Sequence, residues 1–207
     1  MWPEVQLNHH LVGEDPASLR PTQMTVGLAE VAIKRREWAA LSHKKRREAL
    51  QQLVFPAVLG IKHHYFIIDH HHLGLALIEE HARHVWLAVQ DDLSWLAPEV
   101  FWRVMEFRGW AHPFDARGNR RPCREIPHQL AKLRDDPYRS FANRVHAAGG
   151  YAKSPAPFAE FLWADFFRKR VSATALRRRP PVALRAGLRL AKSSAARYLP
   201  GWAGRAS

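Results

Sequence analysis

The stretch Tyr65-Phe66-Ile67-Ile68-Asp69-His70-His71-His72-Leu73-Gly74-Leu75-Ala76-Leu77 constrains the fold more than any other part of the chain. A short β-prone apolar run ends in an acid and three consecutive histidines, and an apolar-periodic stretch begins at once. That order predicts a strand running into the start of a helix, with the polar cluster at the junction. A helix start presents backbone N–H groups and the positive end of the macrodipole, so it seats phosphate or another anion. Histidine at such a place donates hydrogen bonds, moves protons near neutral pH or binds a metal. Any chemistry is expected here.

The rest of the chain sorts around this junction. Thr22 to Val26 reads as a short strand between Pro21 and Gly27, and residues 1 to 18 read as irregular. Leu28 to Leu53 is helical in pattern, and the basic run Lys44-Lys45-Arg46-Arg47 is expected to divide it into two helices. Ala57 to Gly60 and Tyr65 to Ile68 read as strands joined by a tight turn over Ile61 to His64. A helix is expected over Leu73 to Ala82, and a strand over Val85 to Val89. Beyond Asp92 helices dominate: Pro98 to Phe107, Pro127 to Leu133, Tyr138 to Ala148 and Phe158 to Arg170. Strands first and helices later predict an α+β fold, a small mixed sheet followed by a helical C-terminal part.

At 207 residues the chain can bury one real core, and eight tryptophans with 47% hydrophobic content predict a folded body. No stretch nears the roughly 20 apolar residues that a spanning helix needs. The N-terminal residues show no basic-then-apolar signal pattern. A lone cysteine, Cys123, excludes an internal disulfide framework and fits a reducing compartment, so the expected location is cytoplasmic. The net charge of +13 is uneven: residues 171–207 carry seven Arg, one Lys and no acid, which leaves +5 for residues 1–170. The expected division is therefore a domain over 1–170, with the sheet at about 18–92 and helices at about 97–170, and a poorly ordered basic tail over 171–207. Such a tail attracts nucleic acid or an anionic surface without sequence specificity. Val182 to Leu199 could form a basic amphipathic helix on a polyanion.

Within the Asp69–His72 cluster, Asp69 can cap the helix, orient a neighbouring histidine or bind a metal that bridges to phosphate. One histidine would then act as a general acid/base or touch phosphate directly. His63 and His64 lie across the hairpin turn, which raises a metal reading. The spacing matches no zinc signature, and adjacent strand residues face opposite ways. His9 and His10 reflect composition only. Glu30 and Lys34 share a helix face at i, i+4; simple pairing explains them, and the functional alternative makes Glu30 a base or metal ligand. Asp136 with Pro137 reads as an N-cap and first helical residue. No GxxxxGK[ST], GxGxxG, HExxH or CxxC is present.

Three stretches together resemble the ParB/sulfiredoxin superfamily, in the branch of putative ParB-like nucleases. They are Arg20 to Gly27 with Glu30, Val31 and Lys34; Ile68-Asp69-His70-His71-His72-Leu73, similar to a strand-to-helix motif of acid, Gly, His, His, Arg; and Asp135 to Ser140 through Gly149-Gly150-Tyr151 to Phe158, Glu160, Trp163 and Asp165. They span roughly residues 18 to 170. The resemblance implies a small mixed sheet with helices and a phosphate or nucleotide site at the Asp69–His72 turn. It implies action on a phosphoryl or phosphodiester bond, by a phosphodiester hydrolase or a nucleotide-dependent phosphoryl-transfer enzyme. Asp69, His71, His72 and Glu30 are the expected catalytic groups, and His70, His71, His72 and Lys34 the expected phosphate contacts. Mg²⁺ and a nucleotide such as ATP, ADP or CTP are the expected cofactors. The expected partners are a nucleotide or phosphorylated small molecule, and nucleic acid through the basic tail. Two departures stand out: His70 replaces the usual Gly, and Leu73 replaces the usual phosphate-gripping Arg. The motif's sulfiredoxin cysteine is missing, which removes that activity. The alternative is a non-catalytic nucleotide- or DNA-binding module with a basic tail.

Overall fold

The structure is a computed structural model and describes residues 11–204; His9, His10 and Arg205 lie outside that range. In chain order the strands and helices are β1 Leu11–Glu14, β2 Arg20–Pro21, β3 Thr25–Val26, α1 Leu28–Ala39, α2 His43–Gln52, β4 Val54–Leu59 and β5 Tyr65–Ile67. There follow α3 His71–Glu79, β6 Val85–Asp92, α4 Pro98–Phe107, β7 Arg134–Asp135, α5 Pro137–Ala147, α6 Ala159–Arg168, α7 Ala173–Arg178 and α8 Pro180–Ala191. The fold is α+β. Two compact units divide the chain: one holds residues up to Met24, Val31–Pro113 and Arg121–Leu133, the other Thr25–Glu30, Phe114–Arg120 and the chain from Arg134 onward.

The first unit is built on a mixed five-stranded sheet in the order β1-β6-β4-β5-β2. β4 runs parallel to β6 and antiparallel to β5, while β2 runs parallel to β5 and β1 antiparallel to β6. The β4–β5 hairpin turns where expected, with Lys62 and His63 both left-handed (φ 57° and 56°). Gly60 opens that turn because a Cβ there would lie 2.5 Å from the Phe101 ring. α4 lays Phe101 and Met105 against Val58 and Phe66, and this forms one apolar core of the unit. Burial of this kind contributes about 1.5–3 kcal/mol per large apolar side chain.

Three expectations are corrected here. The N-terminal residues are not irregular throughout, since Leu11–Glu14 pairs with Val85–Ala88 at the sheet edge. β4 starts at Val54 and runs through Pro56, next to a bulge between Ala57 and Val58 that relaxes the ladder where proline cannot donate. The helix break falls at Ala40 to Ser42, before the basic run. Ser42 caps α2 by accepting the Lys45 N–H (3.4 Å), and Arg46 donates from α2 to the carbonyls of Trp38, Ala39 and Leu41.

The second unit is helical apart from the β3–β7 pair. Its core joins α5, α6 and α8 through Phe141, Val145, Trp163, Phe166 and Phe167. The Tyr151 ring stacks on Trp163 at 3.9 Å and 9°. The polar ends of these aromatics are satisfied: Tyr138 OH donates to the Val171 carbonyl (2.8 Å), Tyr151 OH to Ala142 (3.0 Å) and Trp163 Nε1 to Pro200 (2.8 Å). The segment expected to be a poorly ordered tail is therefore part of this core. Val171, Ala183, Ala191, Ala196 and Leu199 are all buried. Gly187 is what lets α8 approach, because a Cβ there would lie 2.7 Å from both Phe141 and Val145 side chains.

Candidate functional site

β5 ends at Ile67, and α3 starts at His71. Between them His70 is left-handed (φ 64°, ψ 23°), and this single residue swings the chain from strand into helix. Such a conformation favours glycine, and histidine tolerates it better than most side chains. The position therefore accounts for the Gly usual in the resembling motif. The helical ladder begins with the Gly74 N–H donating to the His70 carbonyl (2.8 Å). The amides of the turn before it belong to the helix end, where the dipole is positive. Asp69 is open to solvent, with its side chain 73% exposed, and its Oδ1 accepts the His70 N–H (2.6 Å). The His70 ring stands edge-on to Phe55 at 5.6 Å.

The three histidines take different places. His71 is buried, and its Nε2 accepts the Thr22 N–H (3.1 Å). The Thr22 hydroxyl lies 3.4 Å from the same nitrogen and donates to the Ile67 carbonyl (2.9 Å). A ring nitrogen that accepts an N–H carries no proton, so this bond fixes the neutral tautomer with hydrogen on Nδ1. His71 thus joins the end of β2 to the start of α3. His72 and Leu73 are half-buried on the first helical turn.

At the hairpin, Arg20 reaches from β2 to the start of β5. Its Nη2 stands 3.0 Å from His64 Nε2, and its Nη1 donates to the His128 carbonyl. Guanidinium has only donors, so His64 Nε2 accepts. Burial first, then the charges of Arg20, Lys62 and His128, holds the His64 pKa below its ordinary value. Among the described residues no group of three or more His, Cys, Asp or Glu side chains could hold a metal ion.

Glu30 falls in the second unit and Lys34 in the first. Glu30 is half-buried, and its charge bears on Arg139 and Tyr151. Asp136 caps α5 as expected, accepting the Tyr138 N–H (3.0 Å), and it pairs with Arg168. Burial raises the Asp136 pKa, and the Arg168 charge works against that rise. Arg139 on α5 carries a buried guanidinium. It lies 3.5 Å from the Phe161 ring centre, and its Nη1 has no hydrogen-bond partner among the described residues. Burial lowers its pKa, opposed by Glu160, Asp136 and Glu30. The sequence signal for its burial is position: Arg139 flanks the apolar stripe of Tyr138, Ala142 and Val145 on α5.

A mixed sheet whose central hairpin delivers an acid and histidines to a helix start defines a small α+β domain of the ParB-like kind. The model of the family described as "Putative ParB-like nuclease" matches residues 15–169, and the chain belongs to that family. Among solved structures it is similar to the crystal structure of protein Atu1540 from Agrobacterium tumefaciens, with 43% identity and a TM-score of 0.87 over 95% of this chain and 100% of that one. No curated protein matches the chain.

Proposed function

We propose that the first unit binds a phosphate-bearing ligand at the start of α3 and acts there on a phosphoryl or phosphodiester bond. The observation that carries this reading is the left-handed His70, which presents the helix start beside an open carboxylate and two further imidazoles. The α3 amides would receive phosphate oxygens. His72, half-buried on the first turn, would move the proton. His71 serves as the fixed joint beneath them, because its Nε2 is already engaged by Thr22. Asp69 is the exposed carboxylate of the turn, so Mg²⁺ would be shared between it and the phosphate of a nucleotide such as ATP, ADP or CTP and not held in a protein cage. The ion would supply charge neutralisation. Leu73 adds no cation to the turn, and this favours a second reading in which the unit binds a nucleotide without turning it over.

The test is thermal shift with ATP, ADP, CTP, GTP and pyrophosphate, with and without Mg²⁺, on wild type, His72→Ala and Asp69→Asn. A ligand at 100 times its Kd stabilises by about 2.7 kcal/mol, which is readily seen. The proposal expects a shift in wild type that His72→Ala loses. Absence of any shift with all five ligands overturns it. Turnover of the ligand that binds separates the two readings.

A further inference from the structure

We propose that the outward face of α8, in the second unit, docks double-stranded nucleic acid through its phosphate backbone. α8 buries Ala183, Gly187 and Ala191 in the core, and the tight fit of Gly187 against Phe141 and Val145 fixes which side faces inward. At 100° per residue Arg185, Arg189 and Lys192 fall on the opposite side. Arg185 and Arg189 are exposed and Lys192 is half-buried. The preceding Arg177, Arg178 and Arg179 are exposed as well, and no acid occurs from residue 171 to the end. Among the described residues none of these six cations is in an ion pair.

Like charges at i, i+4, as at Arg185 and Arg189, repel and destabilise a helix unless a counter-charge lies over them. A rigid row of unpaired cations is matched by a polyanion of regular charge spacing, which duplex nucleic acid is. An anionic membrane fits less well. A surface-lying helix inserts its apolar side, and the apolar side of α8 is already committed to Phe141 and Val145. The outward side offers lipid only Val182, 48% exposed. This inference concerns groups separate from those of the α3 turn and does not depend on them.

The experiment is fluorescence anisotropy of the full chain with a labelled DNA duplex of arbitrary sequence and about 20 base pairs, over about 50 to 300 mM salt. The variants are Arg185→Gln/Arg189→Gln/Lys192→Gln, the charge-keeping Arg185→Lys/Arg189→Lys, and Lys44→Gln/Lys45→Gln/Arg47→Gln on α2. Wild type should bind with strong salt dependence. The α8 triple should lose about tenfold or more at the lowest salt and flatten the log–log salt slope by roughly 2 to 3. The lysine variant and the α2 triple should keep the slope; all variants should stay folded and keep any pyrophosphate shift, with the Tm of the α8 triple at or slightly above wild type because the like-charge pair is gone. The proposal is overturned by a wild type that binds no duplex, by an unchanged slope in the α8 triple, or by loss with the α2 triple instead. Co-sedimentation with phosphatidylserine vesicles without duplex binding also overturns it, in favour of a membrane surface.

Discussion

Removing the His71 side chain should cost stability before it costs chemistry. Thr22 is 1% exposed, and its N–H donates to His71 Nε2 at 3.1 Å. His71→Ala leaves that buried donor without its acceptor, a loss of about 1–3 kcal/mol, and the vacated ring space adds about 1–2 kcal/mol. A total near 3 kcal/mol lowers Tm by roughly 6–12 °C in a chain of this size. Glutamine carries its Oε1 the same number of bonds from Cβ as histidine carries Nε2, whereas asparagine places Oδ1 where Nδ1 stands. His71→Gln should therefore recover about 1–2 kcal/mol relative to His71→Ala, and His71→Asn should not. Thermal and urea unfolding of the three variants measure the order. A loss under about 1 kcal/mol in His71→Ala, or equal stability of the Gln and Asn variants, would refute the joint role.

Ending the chain at Arg170 removes the Val171 and Pro200 carbonyls that Tyr138 and Trp163 use, together with Ala183, Ala191 and Leu199. The second unit should then lose fixed packing, seen as lost near-UV dichroism and rapid proteolysis; a truncated protein that keeps both would contradict the assignment of this segment to the core. His64 has its pKa lowered in the fold, so the unfolded chain takes up the proton first. That contribution is present above the ordinary histidine pKa and is lost as pH falls below about 6.5, so Tm should drop more steeply toward pH 5 in wild type than in His64→Gln, and parallel curves would count against it. At His70, Gly relieves the left-handed backbone and Val aggravates it, so Tm should order Gly at or above His, with Val lower by about 1–2 kcal/mol; an indifferent Val variant would remove the strain argument.

Much of the first unit was legible because its signals are local. The Tyr65–Ile67 strand, the hairpin turn and α4 follow from β-prone runs, turn chemistry and a proline at the helix start. β1 escaped because four half-exposed residues at a sheet edge have no period of their own and gain their strand only from pairing with β6. The C-terminal segment escaped for a different reason. Its seven arginines dominate any reading by charge, while the feature that docks α8 is the small-residue spacing of Ala183, Gly187 and Ala191. Small residues contribute little to an apolar count, yet they permit the close approach on which Phe141 and Val145 depend. The junction at Asp69 to His72 was visible as a cluster, but the separate roles of its histidines were not. They follow from the φ of His70 and from an acceptor bond to Thr22, 49 positions away.

The two departures at this turn act together on how phosphate would be held. Leu73 puts an apolar side chain on the first turn where the resembling motif carries a cation. Helix-end amides and dipole alone contribute about 0.3–1 kcal/mol at an exposed site, whereas each hydrogen bond to a charged group contributes about 1.5–3 kcal/mol. Between Asp69 and Leu73 the side chains left to supply such bonds are the imidazoles of His70 and His72, because His71 Nε2 accepts the Thr22 N–H. Sulfate is the appropriate probe because it is a small dianion that carries no base or sugar. A sulfate titration followed by NMR should show affinity about tenfold lower in His72→Ala than in wild type, as loss of one hydrogen bond to a charged group gives. Equal sulfate affinity in the two proteins would instead assign the binding to the amides alone and deprive His72 of its proposed part.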